Sequence, residues 1–174
     1  MRVFFSVISH FHHDVIINLG ALKLLSNFDS IEVICRDNHP VEKLALFCEK
    51  YAIHYCSNSK KQGFSANNNA NYLFCKNELG MQEGDYFILL NPDVFISQDN
   101  IEQLLCHLRN AKVSLATINL FLDREEMVHD DNIRIYPKFS SFIKTYLLND
   151  RATMINRNKD LPKSYWASCA FLIV

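Results

Sequence analysis

The chain has 174 residues, of which 49% are hydrophobic and 21% charged, and its formal net charge at pH 7 is -1. This length suits one domain with a substantial core, so residues 1–174 are expected to form a single domain, and the composition excludes a disordered chain. The small net charge provides no global nucleic-acid signature, and nucleic acid is not expected as a partner.

Six cysteines are spread along the sequence without a Cys-x-x-Cys pair, and most lie in apolar runs. This pattern indicates reduced, buried thiols in a cytosolic protein rather than a disulfide framework or a zinc knuckle. The first apolar run has no small-residue cleavage site after it, and no run reaches the ~18 apolar residues of a membrane-spanning helix. We therefore expect a cytoplasmic protein that is soluble or peripherally attached to a membrane.

The first third of the sequence alternates between strand-like and helix-like segments. Residues 3–9 form an apolar run of strand length, and Asp14 can cap a helix with apolar residues at helical spacing. Residues 31–35 are β-rich, Pro40 suits a first helical position, and residues 53–56 form a third strand. The βαβαβ order predicts an α/β fold with right-handed crossovers and a parallel sheet.

A basic and asparagine-rich segment follows the third strand. Lys60-Lys61 precedes Gly63, and Ser65 can cap the next helix. That helix is predicted to pack on an apolar face made of Ala66, Ala70, Leu73 and Phe74. Its start contains Asn67-Asn68-Asn69, and three poor helix formers in a first turn indicate either a polar role or simple capping.

Residues 85–96 contain an apolar run that ends in Asn91-Pro92-Asp93. Apolar side chains on both faces are typical of a strand in a sheet that helices cover on both sides. Pro92 cannot donate to the strand ladder, so the strand stops there and places Asn91 and Asp93 in a stiff turn. An amide and a carboxylate two residues apart suit a divalent ion that also touches phosphate, although an ordinary Asx-Pro turn has the same sequence.

The last part of the chain is less regular. Ser97 is predicted to cap a helix, residues 113–120 to form a fifth strand, residues 123–131 to form a solvated loop, and residues 133–136 to form a short strand. Residues 165–174 are predicted to form a final apolar strand. Because nothing in the sequence follows to cover that strand, the domain is expected to be incomplete at its carboxyl end.

A helix is predicted from Phe139 onward, where apolar residues recur at helical spacing beside Lys138 and Lys144. Such a stripe either packs on the core or lies on a membrane surface, where aromatic residues and lysines are favoured. Residues 149–164 carry four cationic side chains. They suit an anionic headgroup or a pyrophosphate, and a solvated linker would have the same composition.

The loops after successive strands of a doubly wound sheet lie along one edge, where ligands bind. The polar residues predicted at this edge are Ser9, His10, Asp37, Asn38, residues 60–69, Asn91 and Asp93. Together they supply carboxylates for a base or ribose and for a metal, and lysines and helix-start amides for phosphate. This set describes a nucleotide-diphosphate pocket, and the absence of Gly-x-Gly-x-x-Gly and Walker sequences disfavours a dinucleotide enzyme or a P-loop ATPase.

The histidines of His10-Phe11-His12-His13-Asp14 are a second candidate metal site. No Cys or His pair at ligand spacing recurs elsewhere in the sequence, so a zinc centre is disfavoured.

With these loops located, the sequence resembles the family 2 glycosyltransferases of the GT-A fold, in particular the rhamnosyltransferases of O-antigen and related polysaccharide assembly. The matching segments run in family order over the whole chain. They are Val7-Ile8-Ser9-His10, Val33-Ile34-Cys35-Arg36-Asp37-Asn38, Gly63-Phe64-Ser65-Ala66-Asn67-Asn68-Asn69, Leu89-Leu90-Asn91-Pro92-Asp93-Val94, His129-Asp130, Arg134-Ile135-Tyr136-Pro137, and Trp166 followed by Phe171-Leu172-Ile173-Val174.

The resemblance implies roles for several of these residues in binding a nucleotide sugar. Asp37 would hold the nucleobase with Ser9 beside it, and Asn69 would line the diphosphate-sugar pocket. Asp93 would hold Mg²⁺ or Mn²⁺ on the donor pyrophosphate, with Asn91 in place of the first carboxylate of the family's Asp-x-Asp. The remaining donor-binding residues are expected to be Asn38 and Gly63.

The activity implied is metal-dependent, inverting transfer of L-rhamnose from dTDP-L-rhamnose to a polyprenyl-diphosphate-linked saccharide, at the cytoplasmic face of the inner membrane. A UDP-hexose donor is the alternative within the class. The alternative outside it is a non-catalytic nucleotide-binding or partner-binding module.

The sequence departs from the family pattern at Ser65 and Cys169, where a small residue, often glycine, is usual. Family members also continue into a Glu-Asp pair that resembles the acceptor-side general base, and this sequence ends before it. No catalytic residue is therefore assigned, and the expectation is donor binding with little or no transfer activity.

Overall fold

The computed structural model describes residues 1–110, 114–123, 125, 127–148, 153–155 and 165–174. The elements in chain order are β1 (Val3–Ser9), α1 (His13–Leu19), α2 (Ala21–Leu25), β2 (Ile31–Asp37), α3 (Glu42–Lys50), β3 (His54–Ser57), α4 (Phe64–Asn77), β4 (Tyr86–Leu90), α5 (Gln98–Asn110), β5 (Ile133–Ile135), α6 (Phe139–Leu148), β6 (Tyr165–Ala167) and β7 (Phe171–Ile173). The chain divides into two compact units. The first comprises Met1–Ala116 with Cys169–Val174, and the second Thr117–Ser168. The single-domain organisation stays a prediction.

The first unit is built on a five-stranded sheet with the strand order β3-β2-β1-β4-β7. The first four strands pair in parallel and β7 pairs antiparallel with β4, so the predicted α/β class with a mostly parallel sheet is confirmed. Every residue of the middle strand β1 is buried, as expected for a strand that is apolar on both faces. The strand order reverses between β1 and β4, and such a reversal creates a crevice at the carboxyl ends of the strands.

The first predicted helix is divided into α1 and α2 by Gly20. Gly20 has a φ of 69°, in the left-handed region, and its N–H donates to the carbonyl of Ile16 at 3.2 Å. Glycine adopts this conformation without a Cβ penalty, so α1 ends at Gly20 and α2 begins after it. Asp14 lies in the first turn of α1, and the N-cap position belongs to His12.

The predicted apolar face of α4 is wrong for Ala66 and Leu73, which are exposed, although Phe74 packs against a buried apolar cluster. The buried residues of α4 are Asn67, Asn68, Asn71 and Cys75. The reason is that α4 lies over polar side chains of β1 and β2, namely Ser6 and Arg36, which form hydrogen bonds with the asparagines. Buried polar groups require such partners, and here they decide which face of the helix is inward.

Two strand predictions are corrected. Of the predicted strand over residues 113–120, the described part shows an isolated bridge between Ala116 and Ile173 and no regular strand. The predicted final strand is two short strands in different sheets, because β6 pairs with β5 and β7 pairs with β4. The cationic side chains predicted for residues 149–164 lie outside the described residues.

Two smaller predictions have different outcomes. Ser97 does cap α5, because its Oγ accepts a hydrogen bond from the N–H of Asn100 at 3.3 Å. All six cysteines are free, but Cys106 and Cys169 are exposed, so the expectation of buried thiols is wrong for these two.

In the second unit, β5 and β6 form a two-stranded antiparallel sheet. The guanidinium of Arg134 lies 5.8 Å from the centre of the Trp166 ring. Among the described residues of this unit, Asn132 is buried and no apolar side chain is. No helix in the described part of the chain is both long enough and apolar enough to cross a membrane.

Candidate functional site

The candidate site lies at the carboxyl ends of β1, β2 and β4. In the sheet register Ser9 pairs with Asp37, and Val7 pairs with Leu90, directly before Asn91. Asp37 and Asn91 therefore lie on either side of β1, roughly 10 Å apart at two strand spacings. The sheet thus brings together the predicted base-binding and metal-binding residues along one edge.

Asp37 is fully buried at the end of β2. Its Oδ1 accepts a hydrogen bond from the N–H of His39 at 3.1 Å, and its Oδ2 accepts one from the hydroxyl of Tyr55 at 3.3 Å. Burial, together with the charge of Asp37 and this hydrogen bond, raises the pKa of Tyr55 to about 12. The hydroxyl is therefore protonated and donating at physiological pH, while the carboxylate retains lone pairs for a further donor.

Ser9 is buried beside Asp37, and its Oγ has no hydrogen-bond partner among the described residues. Its carbonyl accepts a hydrogen bond from the N–H of Asn38 at 2.9 Å. A buried hydroxyl without a partner is costly and uncommon in native proteins. Ser9 therefore offers an unused hydrogen-bonding group at this edge.

The loop after β1 is strained at Phe11, which has a φ of 64°. A positive φ is uncommon for a bulky residue and is maintained only by surrounding contacts. Here the exposed Phe11 ring lies between His10 and His39, with ring centres 4.6 Å and 4.3 Å away.

His10 is electrostatically coupled to the same edge. Desolvation lowers its pKa from the ordinary value, the nearby Lys61, His12 and His39 lower it further, and Asp37 opposes them. After desolvation, the positive charge of Lys61 is the largest cause of the lowered pKa of His10. A lysine at this position suits an anionic ligand.

Asn38 joins three segments around the site. Its Oδ1 accepts hydrogen bonds from Nδ2 of Asn58 at 2.7 Å, from the N–H of Gln62 at 3.1 Å and from Nδ2 of Asn67 at 3.1 Å. Asn58 also donates to Oδ1 of Asn67 at 2.6 Å. The loops after β2 and β3 are therefore tied to the first turn of α4.

A second part of this network runs beneath α4. Arg36 Nε donates to Oδ1 of Asn71 at 2.7 Å, and Nδ2 of Asn71 donates to Oγ of Ser6 at 2.8 Å. The Ser6 hydroxyl in turn donates to Oδ1 of Asn68 at 2.7 Å. Fully satisfied networks of this kind fix the position of an element, so α4 is held at one place over the sheet.

The start of α4 contains the remaining residues that are predicted to bind the phosphate and the sugar. Gly63 is the N-cap residue, in an extended conformation, and provides no side-chain cap to the first N–H groups of the helix. Uncapped N–H groups at a helix start are suited to anions. Asn69 is exposed and does not take part in the network that Asn67, Asn68 and Asn71 form.

Asn91 and Asp93 lie in the turn after β4. The N–H of Asn91 donates to the carbonyl of Ala170 at 2.9 Å, and its own carbonyl accepts from the N–H of Val94 at 3.2 Å. Asp93 is exposed, and no group of three metal-ligating side chains occurs among the described residues. Magnesium sites often combine one carboxylate with substrate phosphates and water, so Asp93 fits a metal that the donor helps to bind.

Several residues at this edge were not recognised from the sequence, notably Tyr55, Asn58 and Phe11. Arg36 interrupts the apolar pattern of β2, which indicated that it has a polar partner. The sequence did not show that this partner is Asn71. The positive φ of Phe11 was not predicted, because phenylalanine rarely adopts this conformation and the neighbouring His39 ring comes from the loop after another strand.

Residues 17–167 match the family model described as Glycosyl transferase family 2. The chain is 28% identical over 179 residues to rhamnosyltransferase WbbL of Escherichia coli (strain K12), a match that covers 99% of this chain and 66% of that protein.

The solved structures that are similar in fold include two with bound nucleotide sugars. S. aureus TarS 1–349 in complex with UDP-GlcNAc has a TM-score of 0.55 at 15% identity, over 76% of this chain and 38% of that one. The mannosyltransferase PcManGT from Pyrobaculum calidifontis, in complex with GDP-Man and Mn²⁺, has a TM-score of 0.52 at 12% identity, over 68% of this chain and 36% of that one. At such identities the likeness concerns the fold alone, which is that of the GT-A glycosyltransferases.

Proposed function

The chain belongs to glycosyl transferase family 2, and on this basis we propose that its first unit binds the nucleotide-diphosphate sugar of a glycosyltransferase. The observation that carries the proposal is the pair formed by Asp37 and Ser9. Asp37 is a fully buried carboxylate at the carboxyl end of β2, and the hydroxyl of Ser9, which pairs with it from β1 beside the switch point, has no partner among the described residues. A nucleoside has N–H and O–H groups that can donate hydrogen bonds both to the Asp37 carboxylate and to the Ser9 hydroxyl.

The diphosphate is assigned to the loops on either side. Lys61 and the uncapped start of α4 at Gly63 favour its negative charge. Asp93, with Asn91 beside it, would hold Mg²⁺ or Mn²⁺, which when bound stabilises the leaving diphosphate. Asn38 orients the loops around the nucleotide, and exposed Asn69 is assigned to the sugar side of the pocket.

The donor we propose is dTDP-L-rhamnose, because the relative that matches nearly the whole chain is a rhamnosyltransferase. A UDP-hexose is the second candidate, since TarS, which shares the fold, is in complex with UDP-GlcNAc. The acceptor we propose is a polyprenyl-diphosphate-linked saccharide of O-antigen or cell-surface polysaccharide synthesis, at the cytoplasmic face of the inner membrane. Transfer with inversion also needs a base for the acceptor hydroxyl, and no described residue is assigned that role.

A thermal-shift titration tests the proposal and separates the donors. The chain is titrated with dTDP, UDP or GDP in the presence of Mn²⁺, and each ligand raises the melting temperature according to its affinity. The largest rise is expected with dTDP. A larger rise with UDP would assign a UDP-hexose donor, and no rise with any nucleotide would refute nucleotide binding.

Two substitutions test whether the nucleotide binds at the proposed residues. Asp37→Asn is expected to weaken nucleotide binding about tenfold or more, because hydrogen bonds to a charged group contribute about 1.5–3 kcal/mol. Asp93→Ala is expected to remove the dependence of affinity on Mn²⁺. The control is Asp29→Asn, an exposed carboxylate before β2 at the opposite end of the sheet. Unchanged affinity and Mn²⁺ dependence in Asp93→Ala would support the non-catalytic alternative.

A further inference from the structure

Helix α6 has two chemically different sides. At about 100° per residue, five of its large apolar side chains lie within an arc of roughly 140°. They are Phe139, Phe142, Ile143, Tyr146 and Leu147. The remaining circumference carries Ser140, Ser141, Lys144 and Thr145, together with Leu148.

The apolar side is exposed. Tyr146 is 90% exposed and Phe139 81%, and no residue of α6 is buried in the described part of the chain. The one partly buried residue is Ser141, whose Oγ accepts a hydrogen bond from the N–H of Lys138 at 3.2 Å. Amphipathic helices of globular proteins normally bury the apolar side, and a contiguous exposed apolar surface of this kind marks an interaction site.

The charged side chains within the α6 segment are all positive. Residues 136–148 include Lys138 and Lys144 and no Asp or Glu, and no salt bridge within the described ranges involves either lysine. Tyr136 and Tyr146 are also exposed, and tyrosine combines an apolar ring with a polar tip that suits the boundary between lipid and water.

We propose that α6 docks in the headgroup region of an anionic lipid bilayer, parallel to its plane, with the five apolar side chains in the acyl boundary. Aromatic and aliphatic residues on one side with lysines at the margin are the features of interfacial helices, and anionic lipids attract the lysines. A second copy of the chain is a poorer partner, because it would bring the lysines of both helices together. At about 15 Å in length, α6 can lie in the interface but cannot span it.

This inference deepens the proposed function and rests on it for its purpose, since docking would bring the enzyme to its lipid-linked acceptor. The residues that carry it belong to the second unit, whereas the nucleotide residues belong to the first. Vesicle binding and nucleotide binding can therefore fail independently.

The test is co-sedimentation of the 174-residue chain with phosphatidylcholine vesicles, with and without one-third phosphatidylglycerol, at low and high salt. Binding is expected to the anionic vesicles and to weaken with salt. Phe142→Ser with Leu147→Ser is expected to reduce it at least tenfold, and Lys144→Gln about fivefold. The matched control is Ser140→Ala with Thr145→Ser on the polar side, which is expected to bind like the unmodified chain.

Absence of vesicle binding would overturn the proposal, as would equal binding by the apolar double variant. Sedimentation equilibrium tests whether a second copy of the chain covers the surface instead. If the chain does not bind vesicles but forms a dimer, and the apolar double variant is monomeric, the surface belongs to a dimer interface. Circular dichroism and the melting temperature without ligand, both expected to be unchanged in the variants, establish that the chain is folded in each case.

Discussion

Within the described residues, the side chain that donates a hydrogen bond to the carboxylate of Asp37 is Tyr55, whose hydroxyl lies 3.3 Å from Oδ2. Tyr55→Phe removes this donor from a fully buried carboxylate while the His39 N–H remains. The expected loss is about 1–2 kcal/mol in the free energy of unfolding, measured by urea denaturation. Tyr51→Phe is the matched control, since its ring packs on Phe47 and no described hydrogen bond involves its hydroxyl. Equal losses in both variants would contradict this account.

The same contact predicts a dependence on alkaline pH. The pKa of Tyr55 is raised in the folded state to about 12, whereas an unfolded tyrosine ionises near pH ~10. The folded chain therefore retains a proton that the unfolded chain releases, and its contribution to stability is full below pH ~10 and is lost as the pH rises toward about 12. Tyr55→Phe is expected to show a shallower fall in stability over that interval.

At the scale of elements, α4 is held by buried asparagines in its first half and, further along, by Cys75 and Phe74 in an apolar cluster. Asn71→Ala would leave the partly buried Arg36 Nε without its acceptor, and would remove one of the two side-chain partners of the buried Ser6 hydroxyl, which keeps Asn68. We expect it to lower the free energy of unfolding by about 1–3 kcal/mol, measured by urea denaturation. Asn69→Ala, an exposed change on the same helix, is expected to stay within about 0.5 kcal/mol. A larger loss in Asn69→Ala than in Asn71→Ala would contradict the role of the network.

The network also has a consequence for the site. Asn67 connects α4 to Asn38 and Asn58, so the loops after β2 and β3 and the start of α4 are positioned together. Asp37 and Asn38 therefore face any ligand from a scaffold that is already arranged, and less conformational entropy is lost on binding.

At the scale of the whole molecule, the two units differ in what stabilises them. All buried apolar side chains of the described residues belong to the first unit, with Phe4, Phe5, Leu44 and Phe171 among those that are fully buried. Local stability follows buried apolar contacts, so hydrogen exchange is expected to be slowest in β1, β2 and β4 and markedly faster in β5, β6 and α6. Exchange measured by mass spectrometry on peptides would contradict this if both units were equally protected.

Part of the fold and part of the candidate site were accessible from local sequence patterns. The turn at Asn91-Pro92-Asp93 follows from the missing N–H of proline, and Asp37 and Ser9 were recognised because they end apolar strands. The environments of these residues were not accessible, because Tyr55 and Asn58 reach the site only when β3 pairs with β2. The roles of Asp37, Asn69 and Asp93 in binding stay predictions.

The sequence by itself determined the βαβαβ order and the mostly parallel sheet, because strand-length apolar runs, proline and glycine act over a few residues. The family was indicated separately, by the resemblance of several segments in order along the chain. Only the tertiary structure decided which face of α4 is inward, since Ser6 and Asn71 are 65 residues apart in the chain. It also decided that the last ten residues form two strands that pair in different sheets, because strand pairing depends on residues far away in the sequence. Hydrogen bonds and pairings of this range have no local signature, and they shape the edge of the sheet where the candidate site lies.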